Sequence, residues 1–230
     1  MFTTDIKEAV AIYNSNGLRS MPIYGVGQGC KHDQKDLDRL RALRDDPFAP
    51  DRHTSGLCFG KVPIEEEWAD LPRFFERDFE EGSNLALIMG KQFDGRWLVC
   101  FDIDGELDLN LYFKLPDTLE SKTGRGRHLI YEVYPDTPLG NWVNVLQTKG
   151  KKLGGREQGS LDLKYCRGAV VSPPSKSHNG KEHIWVRFVK PVMLPREVIV
   201  KLINIRKKNF PKVQRYSLWS LNPTHKGKKP

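Results

Sequence analysis

Apolar and polar residues follow two different patterns along this chain, and the pattern changes near residue 84. Before that point, apolar positions recur three and four residues apart, which predicts amphipathic helices. These helices are predicted at residues 4–17, 34–43 and 64–79, the last with a break at Pro72. A final helix is predicted at residues 195–209, where Pro195 suits the first turn.

From residue 84 onward, apolar residues form short runs or alternate with polar ones, which predicts strands. Strands are predicted at residues 84–90, 96–104, 127–133, 160–165, 168–172 and 183–189, and a short helix at 107–115. One earlier strand is predicted at residues 18–26, between the first two helices. The glycine-rich stretches 25–35 and 149–159 are predicted loops, the second either a connector or a phosphate contact. The arrangement predicts an α+β fold: a mixed or antiparallel sheet covered by helices, with an N-terminal α/β extension.

Composition narrows the class of protein. The chain has 230 residues, of which 38% are hydrophobic and 29% charged, as in an ordinary globular protein of one or two domains. No apolar run approaches the roughly 20 residues that span a bilayer, and the first residues do not resemble a secretory signal. Four widely spaced cysteines without a Cys-x-x-Cys motif argue against structural zinc. Their number would allow disulfides, but we expect a protein of the reducing cytoplasm.

The charge is concentrated at one end of the chain. Residues 181–230 contain 13 Lys or Arg and only two Glu, whereas the whole chain has a net charge of +8. This asymmetry suits a polyanion such as nucleic acid. A solvated helix followed by a basic tail would give the same pattern, so the charge alone leaves both interpretations open.

Two aspartates separated by one residue end the strand predicted at 96–104. Asp102 and Asp104 share one face of that strand, because alternate strand residues point to the same side. A hard divalent cation, Mg²⁺ or Mn²⁺, would relieve the repulsion between their carboxylates. Alternatively, one aspartate caps the turn at Gly105 while the other is solvated.

A third carboxylate favours the metal hypothesis. Asp162 lies in the strand predicted at 160–165 and shares a face with Lys164, whereas Leu161 and Leu163 point to the other side. Three carboxylates that hold two divalent ions are an arrangement used for in-line phosphoryl transfer.

Two further segments carry groups that suit phosphate. In the segment TGRGRH, Gly124 and Gly126 allow close approach of a ligand, and Arg125, Arg127 and His128 offer donors.

The segment PPSKSHNG follows a predicted strand and places Ser175, Lys176 and His178 on a tight loop closed by Gly180. The alternative for this second segment is a plain hairpin between two strands.

Taken in order, the segments FDID, TGRGRHLIYEV, LDLKY and VVSPPSKSHNGKEHIWV resemble the catalytic domain of bifunctional primase–polymerases, the prim-pol group of the archaeo-eukaryotic primase superfamily. The resemblance covers about residues 5–190 and is strongest from 84 to 188. It implies an RRM-like catalytic sheet with helices and an N-terminal α/β subdomain. The implied organisation is a catalytic domain at 1–195, divided near residue 83 into parts 1–83 and 84–195, and a basic helix and tail at 196–230.

The resemblance also implies roles for individual residues. The catalytic, metal-binding residues would be Asp102, Asp104 and Asp162, holding two Mg²⁺ or Mn²⁺ ions, with no zinc expected. The nucleotide-binding residues would be Arg125, Arg127, His128, Lys164, Ser175 and His178. The nucleic-acid-binding residues would be Lys151, Lys152, Arg206, Lys207 and Lys208. Many superfamily members have Ser-x-His where this chain has Gly126, Arg127 and His128, so backbone or arginine contacts must replace the serine hydroxyl.

The implied function is that of a DNA primase/polymerase, a nucleotidyltransferase of DNA replication in a plasmid, phage or related element. Its expected partners are a single-stranded DNA template and primer, a dNTP or NTP, and a replicative helicase or a downstream domain of a longer protein. The main alternative is a non-catalytic single-stranded-DNA-binding or replication-initiator module. A glycosyltransferase with an Asp-x-Asp motif would leave the RGRH segment and the basic C-terminal residues without a purpose.

Overall fold

The computed structural model describes residues 3–29, 57–59, 63–64, 68, 73–147, 159–177 and 180–209. These residues form two α-helices and twelve strands, so the described structure is mainly sheet and α+β overall. The helices are α1 (Ile6–Ser15) and α2 (Arg196–Asn209). The strands are β1 (Ser20–Ile23), β2 (Val26–Gly29), β3 (Leu57–Phe59), β4 (Asn84–Ile88), β5 (Gly90–Lys91), β6 (Trp97–Asp104), β7 (Leu119–Lys122), β8 (Gly126–Val133), β9 (Trp142–Gln147), β10 (Ser160–Lys164), β11 (Ala169–Val171) and β12 (Ile184–Arg187). Neither described helix combines the length and hydropathy needed to cross a membrane.

The described strands form three sheets in which all paired strands run antiparallel. The large sheet has seven strands in the order β12-β7-β8-β6-β10-β9, with β5 paired to β6 beside this path. The small sheet has the order β1-β4-β11, and β2 pairs with β3. Because only Met89 separates β4 from β5, one stretch of chain passes directly from the small sheet to the large one.

The large sheet is buried on both faces, and this explains the apolar runs in its central strands. On one face, Leu98 and Cys100 of β6 pack in a first core with α1 and the small sheet. On the other face, Val99, Phe101 and Ile103 pack in a second core with α2. The molecule is therefore layered, with α1 and the small sheet on one side of the large sheet and α2 on the other.

Both helices follow their sequence patterns closely. In α1, Asp5 caps the N-terminus by accepting a 2.8 Å hydrogen bond from Glu8 N, and Gly17 adopts a positive φ just after the last turn. In α2, Val198 and Leu202 face the second core, while the basic residues of its last turn remain on the outside. The helices predicted at 4–17 and 195–209 are therefore confirmed.

Two predicted helices differ from the structure. Residues 107–115 contain only a 3-10 turn at Leu109–Leu111, because the Asp108 side chain accepts a hydrogen bond from Asn110 N and so favours a local turn. In the segment 64–79, residues from 73 onward contain only a 3-10 turn at Glu76–Asp78. The helix predicted at 34–43 lies outside the described residues.

Five described strands were not predicted as separate strands: β2, β3, β5, β7 and β9. β7 has the sequence LESK, which is too short and too polar to signal a strand by itself. In β9, Asn144 has a positive φ of 52°, which interrupts the strand geometry. The stretch predicted to be a loop at 25–35 contains β2, which pairs antiparallel with β3.

The two predicted parts of the catalytic domain contribute strands to one sheet and residues to one core. β1, before residue 83, pairs with β4, after it, and the first core contains residues from both parts. The large sheet carries the three aspartates. That this sheet has an RRM-like arrangement stays a prediction.

Candidate active site

Two of the three predicted carboxylates meet across a strand pair. Asp102 of β6 and Asp162 of β10 are direct partners in the antiparallel register. Directly opposed residues have Cβ atoms about 4.5–5.5 Å apart, so backbone pairing brings these side chains together. Asp104, two residues along β6, shares their face, while Phe101 and Ile103 are buried in the second core.

The ammonium group of Lys164 lies close to both opposed carboxylates. Its Nζ is 3.1 Å from Asp162 Oδ2 and 3.9 Å from Asp102 Oδ2. Burial lowers the pKa of Lys164, but the hydrogen bond that Lys164 donates to Asp162 and the charges of Asp162 and Asp102 outweigh this effect and raise the pKa above its ordinary value. Lys164 is therefore protonated at neutral pH and offsets the repulsion between the two aspartates.

An almost fully buried histidine completes this part of the site. His128 of β8 is opposite Asp102, and its Nε2 is 3.3 Å from Asp102 Oδ1. Its Nδ1 is 3.5 Å from the Oγ of Ser121, its partner on β7. Ser121, His128, Asp102 and Asp162 thus form a line across four neighbouring strands, which we call the polar row.

A cavity of about 500 Å³ lies between the polar row and the small sheet. One wall is polar, and its described lining residues are Asp102, Asp104, Thr123, Arg125, His128, Lys164, Ser177 and His183. The opposite wall is mostly apolar, and its described lining residues include Met21, Trp68, Ala86, Ala169, Val170 and Val171. Asp162 does not itself line the cavity but is hydrogen-bonded to Lys164, which does. The cavity thus offers charged groups on one side and an apolar surface on the other.

The two arginines of the RGRH segment lie on different faces of the large sheet. Arg125 lines the cavity, and its Nη2 is 3.7 Å from Asp104 Oδ1. Arg127 is paired with Ile103, so its side chain is on the opposite face, where its Nη1 is 3.5 Å from Glu120 Oε1. The prediction that both arginines bind the nucleotide is therefore corrected: Arg125 lies in the turn before β8, whereas Arg127 lies on the strand next to His128 and so points to the face away from the cavity.

The two glycines of this segment, Gly124 and Gly126, also differ in role. Gly124 lines the cavity, as expected of a residue near a ligand. A Cβ at Gly126, however, would lie 1.8 Å from the carbonyl oxygen of Ile103. Gly126 is therefore needed for the close pairing of β8 with β6 and not for approach to a ligand.

The prediction for Ser175 is also corrected. Its Oγ accepts a hydrogen bond from Leu85 N and donates one to Leu85 O, both 2.9 Å long, and only 1% of the residue is exposed. These bonds hold the chain against β4, so the hydroxyl serves the fold. His178, Lys151 and Lys152 lie outside the described residues.

The basic residues of α2 lie away from the cavity. Arg206, Lys207 and Lys208 are in the last turn of α2, which packs on the face of the large sheet opposite the polar row. The Arg206 guanidinium carbon is 5.8 Å from the centre of the Trp142 ring on the edge strand β9. The structure therefore does not bring these cations together with the aspartates.

Sequence reasoning missed three polar residues among the described lining residues of the cavity: Thr123, Ser177 and His183. Ser177 Oγ and His183 Nε2 are joined by a 2.8 Å hydrogen bond, and both residues are buried. The rings of His183 and His128 are 6.0 Å apart. The alternation of polar residues along a hairpin could have indicated Ser177 and His183. The prediction of a binding loop around His178 did not use this signal.

The donor chemistry of the aspartates fits a hard divalent cation. Asp102, Asp104 and Asp162 offer carboxylate oxygens on one face, and such oxygens are the ligands that Mg²⁺ and Mn²⁺ prefer. In the part of the chain that the structure describes, no three His, Cys, Asp or Glu groups are placed to hold a metal ion together. Asp102 and Asp162 contact Lys164, and Asp104 contacts Arg125, so each carboxylate has a protein cation nearby.

Comparison with known proteins gives one family match. A family model for the N-terminal domain of bifunctional DNA primase/polymerases, Prim-Pol, matches residues 22–197. This range is more than half of the chain and contains the polar row and, apart from Met21, the described lining residues of the cavity. A search of curated proteins finds no significant match.

Proposed function

Because the chain belongs to the bifunctional DNA primase/polymerase family, we propose that it transfers nucleotides from dNTPs or NTPs to a 3′-hydroxyl in a template-directed, metal-dependent reaction. We propose further that it synthesises primers on single-stranded DNA during replication. The observation that carries this proposal is the pairing of Asp102 with Asp162 next to a cavity that Asp102, Asp104, His128 and Lys164 line.

Asp102, Asp104 and Asp162 are the residues that would hold Mg²⁺ or Mn²⁺. The bound ions would neutralise phosphate charge and lower the pKa of the attacking hydroxyl. Lys164 and Arg125 are cations of the same cavity and would donate to phosphate oxygens, which accept strongly from charged donors. His128, fixed between Ser121 and Asp102, would donate to the triphosphate from a defined position.

The cavity suits a nucleoside triphosphate in size and in polarity. Its volume of about 500 Å³ is within the range of cavities that bind molecules of this size. The polar wall would hold the triphosphate, and the apolar wall formed by the small sheet would receive the base. The opposed walls thus give the nucleotide one orientation in the cavity.

The template strand would contact a separate surface. Arg206, Lys207 and Lys208 project from the far side of the large sheet, next to Trp142 on β9. Lysine and arginine bind the phosphate backbone, and aromatic rings stack with unpaired bases. A single strand that follows the β9 edge would reach both this surface and the polar row. A helicase or downstream domain as partner stays a prediction.

The test is nucleotide incorporation by the purified chain. Primed and unprimed single-stranded DNA is incubated with labelled dNTPs or NTPs and with Mg²⁺ or Mn²⁺. We expect primer extension and new primers, with loss of at least about 100-fold in Asp102→Asn and Asp162→Asn because the charge that holds the metal is removed. Asp136→Asn, a change of an exposed aspartate outside the cavity, serves as the matched control.

Two results would contradict the proposal. Normal extension by folded Asp102→Asn or Asp162→Asn would show that these carboxylates do not act in catalysis. DNA binding without any incorporation under either metal would instead favour a single-stranded-DNA-binding or replication-initiator module.

A further inference from the structure

A short hairpin places Ser177 and His183 side by side. The backbone pairs antiparallel at Lys176 and Glu182, whose side chains are exposed and form a 3.8 Å ion pair. Because side chains alternate along an extended backbone, the neighbours of this pair, Ser177 and His183, point inward. Both inward residues line the cavity described above.

The Ser177–His183 pair is buried, and hydrogen bonds fix the position of both residues. Ser177 is 8% exposed and His183 is 4% exposed, and their hydrogen bond is 2.8 Å long. Backbone bonds hold each residue, since Ser177 N donates to Lys181 O and His183 N donates to Ser175 O, both at 2.8 Å. The two side chains therefore hold each other in position at the cavity wall.

The position of the pair extends the polar row. His183 immediately precedes β12, which pairs with β7 on the side away from β8. The ring centres of His183 and His128 are 6.0 Å apart. The acidic residues among the described lining residues are Asp102 and Asp104, at the other end of the row. The cavity wall therefore changes from carboxylates on β6 to imidazole and hydroxyl groups near β12.

This change of chemistry suits an elongated anion. Phosphate oxygens only accept hydrogen bonds, so they bind hydroxyl and imidazole groups and are repelled by carboxylates that lack a metal. Ser177 supplies a hydroxyl group at the cavity wall.

We propose that Ser177 and His183 bind the terminal phosphate of the nucleoside triphosphate, with the α-phosphate toward Asp102 and the β-phosphate near His128. The proposal rests on the proposed function, because it assumes that the cavity binds a nucleoside triphosphate. It makes Ser177 and His183 the residues that distinguish a triphosphate from a diphosphate.

The test is direct binding of dATP and dADP to the full chain by titration calorimetry, with Mg²⁺ present. Wild-type protein is expected to bind dATP at least about tenfold more tightly than dADP, because the terminal phosphate adds hydrogen bonds to a charged group. In Ser177→Ala and in His183→Phe this ratio is expected to fall to about twofold, mainly through weaker dATP binding. Ser175→Ala is the matched control, since it removes a serine hydroxyl from the same hairpin but outside the cavity.

The possible results separate this inference from the proposed function. Failure of wild-type protein to bind dATP would overturn both. If folded Ser177→Ala keeps the wild-type preference for dATP over dADP, the inference alone is overturned. Equal weakening of dATP and dADP binding in this variant would have the same meaning. If His183→Phe does not fold, Ser177→Ala decides the question, and a lower ratio in Ser175→Ala would also contradict the assignment.

Discussion

The backbone N–H of Asn144 donates a 2.7 Å hydrogen bond to Asp162 Oδ1. Asn144 has a φ of 52°, a left-handed conformation that asparagine tolerates better than most residues. The register between β9 and β10 shifts between Leu161 and Leu163, which is the mark of a bulge. Asp162 is therefore held by Asn144 on one oxygen and by Lys164 on the other.

This relationship predicts that one change at Asn144 leaves extension activity almost intact and that another lowers it. Asn144→Gly keeps the left-handed conformation and the N–H, so extension activity should remain within about twofold of wild type. Asn144→Val disfavours that conformation and should lower both stability, by about 1–3 kcal/mol, and extension activity. Primer extension and urea unfolding measure the two effects, and equal activity in the two variants would show that this contact does not position Asp162.

Lys164 predicts a pH dependence of stability. Its pKa is raised above the ordinary value of 10.5, so its contribution is complete below that pH and is lost as the pH rises through the folded-state pKa. Lys164→Met should therefore lower the free energy of unfolding by about 1–3 kcal/mol from pH 7 to pH 9. The difference from wild type should shrink above about pH 10.5. Urea unfolding at pH 7, 9 and 11 checks this, and a constant difference up to pH 11 would contradict the assigned ion pairs.

The two arginines of the RGRH segment should separate in kinetic assays. Arg125→Ala removes a cation from the cavity and should raise the KM for the nucleotide about tenfold, the loss expected for a hydrogen bond to a charged group. Arg127→Ala should leave this KM within about twofold, because Arg127 lies on the other face and contacts Glu120. Glu120 keeps a second partner, Arg187, so little stability should be lost. An equal rise in KM for both variants would contradict the face assignment.

Gly126 predicts a structural effect without a direct role in binding. In Gly126→Ala the new Cβ would overlap the Ile103 carbonyl oxygen, so β8 must move away from β6 at a cost of at least about 3 kcal/mol. Gly95→Asn is the control, because a Cβ there meets open space and asparagine tolerates its positive φ. Thermal unfolding compares the two, and a normal Tm for Gly126→Ala would show that the strands can separate at little cost.

Local pattern was sufficient for several features of this chain. Alternation along β6 assigned Asp102 to one face and Phe101 to the other, because the side-chain period of a strand is fixed by the backbone. The same rule placed Asp162 and Lys164 together on β10. The helix α2 was predicted from its apolar stripe and from Pro195 at its start, and both signals depend only on residues close together in the sequence. These are properties of neighbouring residues, which a sequence states directly.

The tertiary structure alone decided which distant residues meet. The register that places Asp162 opposite Asp102 depends on how β10 pairs with β6, and no residue near either aspartate specifies it. The same pairing presses Gly126 against Ile103, and the packing of the hairpin gives the cavity Ser177 and His183 while Ser175 bonds to β4. Each of these contacts follows from minimising the exposed apolar surface of the whole chain, which is a sum over residues far apart in sequence.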